Sequence, residues 1–235
     1  MLLKKISLIL LCFTAISCAE LQQVVSTLPN GQGGTAVDIA GGLRQALDMG
    51  IDKQVSKLTQ KDGFYKNSLV KILLPQELRK VDKTLRDIGL GSLADEGLML
   101  LNRAAEDAVG EATPIFVNAV KQITFTDAKN ILLGNDTAAT RYLQGKTTSE
   151  LYSKFNPVIQ NSFAKVGADQ VWTTLITRYN SIPFVNKVNP DLTDYVTTEA
   201  LKGVYKMIGV EEKEIRTKIS SRTTTLLQQV FALQD

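Results

Sequence analysis

The sequence predicts an all-α fold: a single multi-helix globular domain of about nine or ten helices after a cleaved signal and a flexible tether. Three observations lead there. From Val37 onward, apolar residues recur at three- and four-residue intervals, the spacing of one helix face. Threonine, serine and aspartate caps alternate with glycines at helix-length intervals. Only Phe64 to Leu74 alternates like a strand, with Val70, Ile72 and Leu74 on one face, and it is too short to found a sheet.

Met1 to Ser17 reads as a secretory signal. Lys4 and Lys5 form its basic region, and Ile6 to Ile16 is an apolar core far short of the ~20 residues a spanning helix needs. Ala15-Ile16-Ser17-Cys18 then resembles the lipobox of bacterial lipoproteins, with Ala15 where leucine is usual. The resemblance implies cleavage before Cys18 and lipid attachment to it. Ala19, rather than aspartate, follows the cysteine, which implies an outer-membrane destination facing the periplasm. The alternative is ordinary cleavage after Ala19, giving a soluble periplasmic or secreted protein. Residues 18–34 form the lipidated cysteine and tether, with the spacer Pro29-Asn-Gly-Gln-Gly-Gly34. Residues 35–235 form the helical domain.

Thr35 with Asp38 opens the first helix, which extends to Leu58 with a possible break at Gly50. Asp62-Gly63 is a turn. Pro75 starts a helix over Gln76 to Ile88, ended by Gly89. Ser92 with Asp95 caps the central helix, Leu93 to Val109. Pro114 kinks or restarts it through Ile123. Thr126 caps a helix to Leu133, stopped by Gly134. Asn135-Asp136 opens a short helix to Leu143, and Thr147 with Glu150 opens the next, to Val166, with Pro157 inside. Gly167 separates it from Ala168 to Tyr179, and Pro183 to Pro190 is a loop. Thr193 or Asp194 caps a helix that Gly209 ends at Ile208. A charged helix from Glu211 to Lys218 follows, and Ser220-Ser221 introduces the last, to Phe231.

Segments along this chain, in order, carry a family resemblance: Asp62-Gly-Phe-Tyr65, Lys71-Ile-Leu-Leu-Pro75, Asn102-Arg-Ala-Ala-Glu106, Ala138-Ala-Thr-Arg-Tyr142, Asp194-Tyr-Val-Thr197 and Arg222-Thr-Thr-Thr-Leu-Leu227. Together they resemble the bacterial family called domain of unknown function 4197, over residues 36 to 231. Leu73 stands where that pattern often has proline. The resemblance implies an envelope protein, often with a lipoprotein-type leader, and implies no activity.

Composition removes most chemistries. The chain has 235 residues, no histidine and two cysteines, Cys12 and Cys18. A triad or a histidine base is therefore excluded, and a lipidated Cys18 leaves no thiolate nucleophile or thiolate metal site. No metal and no cofactor are expected. The net charge is +3, falling to +1 without Lys4 and Lys5, so nothing points to nucleic acid. Gly31-Gln-Gly-Gly34 follows no strand and gives no phosphate loop.

Carboxylates remain. Glu106 with Asp107 or Asp95, and Glu199 with Glu211 or Glu212, are the pairs a glycan hydrolase would draw on. Glu212 with Arg216 and Glu214 with Lys218 read as i,i+4 pairs on a solvated face. Trp172, Leu175, Ile176 and Tyr179 form one stripe, read as core. Phe64-Tyr65 lines a pocket or anchors its loop.

The central helix carries the one ambiguous site. On a helical wheel Ala94, Leu98, Leu101, Ala104, Ala105 and Ala108 make the packed face, with Asn102, Arg103, Glu106 and Asp107 opposite. Either Arg103 makes a solvated intrahelical pair, or a second layer covers this face and buries a polar network. Arg141 and Arg222, each beside threonines, are the further polar groups that could converge on Asn102, Arg103 and Glu106, and a ligand site is the third reading. The expected function is that of an uncharacterised cell-envelope lipoprotein: a non-catalytic binding or scaffolding domain, tied to the membrane by its lipid and binding an envelope protein or small ligand. The alternative is a carboxylate-dependent envelope glycan or peptidoglycan hydrolase.

Overall fold

The first helix, α1, runs without a break over Ile39–Thr59. Its buried residues follow the expected spacing from Leu43 through Leu47, Ile51 and Val55 to Leu58. The computed structural model describes residues 38–87, 91–165 and 191–234, with isolated positions between 166 and 190. The expected signal and tether, with Cys12, Cys18 and Thr35, lie outside the described residues, as do Gly89, Gly167, Leu175 and Tyr179.

Turns occupy residues 61–70, followed by an irregular segment over 71–75. The alternation read at Val70, Ile72 and Leu74 is real, since all three are buried while Leu69 and Leu73 are 47% and 52% exposed. No strand forms among the described residues. Helix α2 is Gln76–Asp87, beginning directly after Pro75. The central helix, α3, is Gly91–Val109. Ser92 lies inside it rather than capping it, and Asp95 instead accepts from Arg86 at 2.6 Å. Helix α4 is Ala112–Lys121, with Pro114 in its first turn, where a missing N–H costs nothing.

Helix α5 is Phe125–Leu132, and Thr124 rather than Thr126 caps it. The Asp127 N–H donates to Thr124 Oγ1 at 3.1 Å and the Thr124 N–H donates to Asp127 Oδ2 at 3.0 Å, a complete capping box. The two helices expected around Leu143 and Thr147 are one, α6, over Ala138–Lys165 with Pro157 inside. Thr147 is interior: its hydroxyl lies 2.7 Å from the Leu143 C=O and 2.8 Å from the Tyr205 hydroxyl. The helices expected on either side of Gly209 are likewise one, α7, over Thr193–Thr217. A 3-10 turn at Ile219–Ser221 leads to α8, Thr225–Phe231, capped by Thr224 and not by Ser220-Ser221. Eight α-helices are thus described: two expected breaks are absent, and the helix expected over 168–179 falls largely outside the described residues.

Residues Ile39–Asp235 form one unit. Helices α6 and α7 pack against each other, and α3 packs against both. Helix α1 lies against α7, α4, α5 and α8. Phe116 of α4 meets the Tyr205 ring of α7 edge-on, 5.9 Å between centroids. Trp172 is core, as its stripe implied: it is buried, and a Cβ added at Gly97 of α3 would fall 2.6 Å from its ring. Ile176 is buried with it.

Candidate functional site

On the polar side of α3, Asn102 and Glu106 are covered and Arg103 partly so, while Asp107 stays exposed. The turns and segment of residues 61–75 form the cover. Chain direction explains the cover. After Thr59 the chain must reverse over the end of α1, and Asp62 does so with φ of 73°, in the left-handed region that aspartate tolerates. Gly63 follows because a Cβ there would collide with the Leu58 and Lys57 carbonyls at the end of α1.

This reversal aims three backbone N–H groups at α3. Glu106 Oε1 accepts from the N–H of Phe64 at 3.0 Å and of Tyr65 at 3.2 Å, and Oε2 accepts from the Asp62 N–H at 3.3 Å. Arg103 donates from Nη1 to Glu106 Oε2 and from Nη2 to Asp62 Oδ1, at 2.5 and 2.6 Å. Lys66 adds a 2.9 Å ion pair to Asp62. Glu106 is buried, at 5% exposure, and four donors take up the roughly four lone-pair positions of a carboxylate. Its acceptor positions are thus occupied from within the chain.

One turn earlier, Asn102 is fully buried and holds both backbone groups of Ile72. The Ile72 N–H donates to its Oδ1 at 2.8 Å, while its Nδ2 donates to the Ile72 C=O at 2.9 Å and to the Leu98 C=O at 2.8 Å. The amide stands in for a neighbouring strand, which is why residues 71–75 alternate without a sheet. Phe64 is an anchor: it is fully buried against Gly203 of α7, where a Cβ would lie 2.7 Å from its ring. Tyr65 stays partly exposed under the Lys71 ammonium, 4.3 Å from the ring centroid.

The charges follow this geometry. Bonds from Lys66 and then Arg103 hold the Asp62 carboxyl below its ordinary range. Partial burial works to lower the Arg103 guanidinium, but its bonds to Glu106 and Asp62 outweigh burial and raise it.

Arg141 and Arg222 are elsewhere. Arg141 is exposed and donates to Asn135 Oδ1. Arg222 is buried and donates to the carbonyls of Ile215 at 3.1 Å and Arg216 at 3.0 Å, at the end of α7. Neither contacts Arg103.

A second buried network was missed by the reading of Glu212 and Arg216 as solvated. Both are buried. Glu212 accepts from the N–H groups of Ala139 and Thr140 at 2.9 and 2.8 Å and from the Thr140 hydroxyl at 2.7 Å, so its charge sits on the N-terminus of α6. Arg216 pairs with Glu212 at 2.9 Å and donates to the Ile131 and Leu132 carbonyls at 2.8 and 3.1 Å, at the C-terminus of α5. Glu211 is also buried, accepting from Lys53 at 2.7 Å and Gln54 at 2.6 Å of α1. The missed signal was continuity. With no stop at Gly209, the stripe Val204, Ile208, Glu211, Glu212, Ile215 reads as one buried face. Glu214 and Lys218 do form an exposed pair.

The remaining hydrolase candidates are solvated and engaged. Asp95 pairs with Arg86, Asp107 accepts from Ser162 at 2.9 Å, and Glu199 pairs with Lys202 at 2.7 Å. Two grooves open at the surface of the covering segment. One, about 380 Å³, is edged by Lys57, Lys61 and Lys66; the other, about 530 Å³, lies between residues 71–79 and α7. Among the described residues no cluster of three metal-ligating side chains occurs, and no helix is long and apolar enough to cross a membrane.

Fold and site together define an all-helical domain whose buried carboxylates fasten loops and helix ends. A sequence model of the family described as "Protein of unknown function (DUF4197)" matches residues 34–232, and the chain belongs to that family. No curated protein and no solved structure matches it. Segments that carry the resemblance meet at the site: 62–65 on Glu106, 71–75 on Asn102, and 194–197 through Tyr195, whose hydroxyl donates to the Leu73 C=O at 2.7 Å.

Proposed function

We propose that this chain is a cell-envelope lipoprotein, anchored through a lipid on Cys18 in the outer membrane and facing the periplasm, whose helical domain binds or scaffolds without catalysing a reaction. The observation that carries the non-catalytic reading is the commitment of its interior carboxylates. Glu106, Glu211 and Glu212 are each buried and engaged by backbone N–H groups, cations or amides of the same chain. A glycan hydrolase needs a carboxyl that can give up or take a proton in front of a sugar. The leader supports the anchor: a basic pair, an apolar core of signal length, and small residues before Cys18. Two or more acyl chains would hold the domain stably, where one would not.

Two measurements test this reading. The Cys18→Ala protein should move from the membrane pellet to the soluble fraction; continued membrane association would refute the anchor. Purified full chain on peptidoglycan sacculi should release no soluble fragments. Release that is lost in Glu199→Gln at an unchanged melting temperature would establish a hydrolase instead.

A further inference from the structure

The groove of about 530 Å³ between residues 71–79 and α7 is bordered by a half-paired backbone edge. Ile72 gives both its N–H and its C=O to Asn102. Only an extended residue points both groups the same way, so those of Leu73 point to the opposite side. There the Leu73 C=O accepts from the Tyr195 hydroxyl and keeps a second lone pair, while its N–H has no partner among the described residues. The Leu73 side chain is 52% exposed. Leu73 therefore offers outward the same pair of groups that Ile72 offers inward.

The charge beside this edge is positive. Lys71 and Arg79 line the groove in no salt bridge among the described residues, Lys71 standing over the Tyr65 ring within electrostatic reach of Asp95, while Glu199 on its acidic side is paired with Lys202. Pro75 and the Tyr195 ring add apolar wall. A ligand that satisfies all of this carries an N–H and a C=O side by side on an extended backbone, a carboxylate, and room for an apolar side chain.

We propose that the groove binds an extended acidic peptide segment of a partner protein, which pairs its backbone with Leu73 and its carboxylate with Arg79 and Lys71. This is strand addition to a single clamped residue, with backbone bonds giving affinity and the flanking cations giving selectivity. It rests on the reading of the chain as a binding domain and names where binding occurs.

The test uses full chain in detergent and two fluorescein-labelled peptides, one alternating valine with glutamate and one alternating valine with lysine. By fluorescence anisotropy the glutamate peptide binds and the lysine peptide does not. Arg79→Glu, an exposed change that leaves the fold intact, weakens binding about tenfold or more, and added salt weakens it further. Hydrogen exchange at the Leu73 amide slows when the glutamate peptide is present. Equal binding of the two peptides, absence of binding, an unchanged affinity in Arg79→Glu or an unchanged Leu73 amide each overturns the proposal. So does competitive displacement by phosphatidylglycerol added as mixed micelles, which would assign the groove to an anionic phospholipid headgroup. Failure here is separable from failure of the binding reading. If a partner co-purifies with wild type and with Arg79→Glu alike, the domain binds but not through this groove.

Discussion

At Glu106, one carboxylate organises four donors from two separate parts of the chain. Replacing it with glutamine would turn one acceptor oxygen into an NH2 group facing N–H donors, and would leave Arg103 half paired. Glu106→Gln should cost about 3 kcal/mol, seen as a fall in melting temperature of roughly 6–12 °C for a chain this size. Arg103→Met should cost less, about 1–2 kcal/mol, because the Arg103 side chain is 25% exposed and Glu106 keeps its three backbone donors. Equal losses would show that the charge pair, not the backbone bonds, dominates. Arg216 and Lys218 make a second comparison, because they looked alike in the sequence. Arg216→Met strips a buried glutamate and two helix-end carbonyls of their partner and should cost about 3 kcal/mol. Lys218→Met removes a solvated pair and should stay within about 0.5 kcal/mol. Thermal unfolding of both variants decides whether the Glu212 network is interior in solution.

Among the elements, neither the Thr147–Glu150 capping pattern nor Gly209 marks where a helix stops. Gly145 lies within α6, where an added Cβ would have nothing within 4 Å, and Gly209 lies in α7 facing Thr140. Both helices continue because their neighbours on either side are buried on one stripe, and that burial outweighs the roughly 1 kcal/mol a helical glycine costs. Gly145→Ala should therefore stabilise the protein by about 0.5–1 kcal/mol. A drop in stability would mean the helix breaks there after all. Gly203→Ala in the same kind of helical position should do the opposite, because its Cβ would drive into Phe64 and lift the covering loop. The stretch 64–74 teaches a related lesson. Its alternation was legible, but its partner is the Asn102 side chain rather than a strand, and no local pattern encodes a partner 30 residues away.

For the whole molecule, composition sets the pH response. With no histidine, the side chains that most often change charge between pH 5 and 8 are missing, so the melting temperature should be nearly level from pH 8 to pH 5. Below that range the sign comes from the aspartates. Asp62 is held low by Lys66 and Arg103, Asp95 by Arg86, and Asp127 by Thr124. A carboxyl lowered in the fold stabilises it above the unfolded value of about 3.9, and that contribution is lost as pH falls through the folded value. Asp48, raised by burial against a smaller pull from Lys121, works the other way, and it is outnumbered. Circular dichroism melts should thus hold steady to about pH 5 and fall below about pH 4. A transition centred between pH 6 and 7 would contradict this.

The sequence by itself determined the all-α class, the family and most of the buried face of each helix, because helical spacing and capping are local. It also located Asn102, Arg103 and Glu106 as one polar stripe. It could not decide whether that stripe faced water, because the cover comes from residues 61–75, placed there by a reversal at Asp62 and Gly63. Nor could it bury Glu212 and Arg216, whose partners are the ends of α5 and α6, more than 70 residues back along the chain. The residue types in such networks are the same as those on a solvated surface. Only the packing of distant helix ends tells the two apart, by removing the water that would otherwise satisfy them.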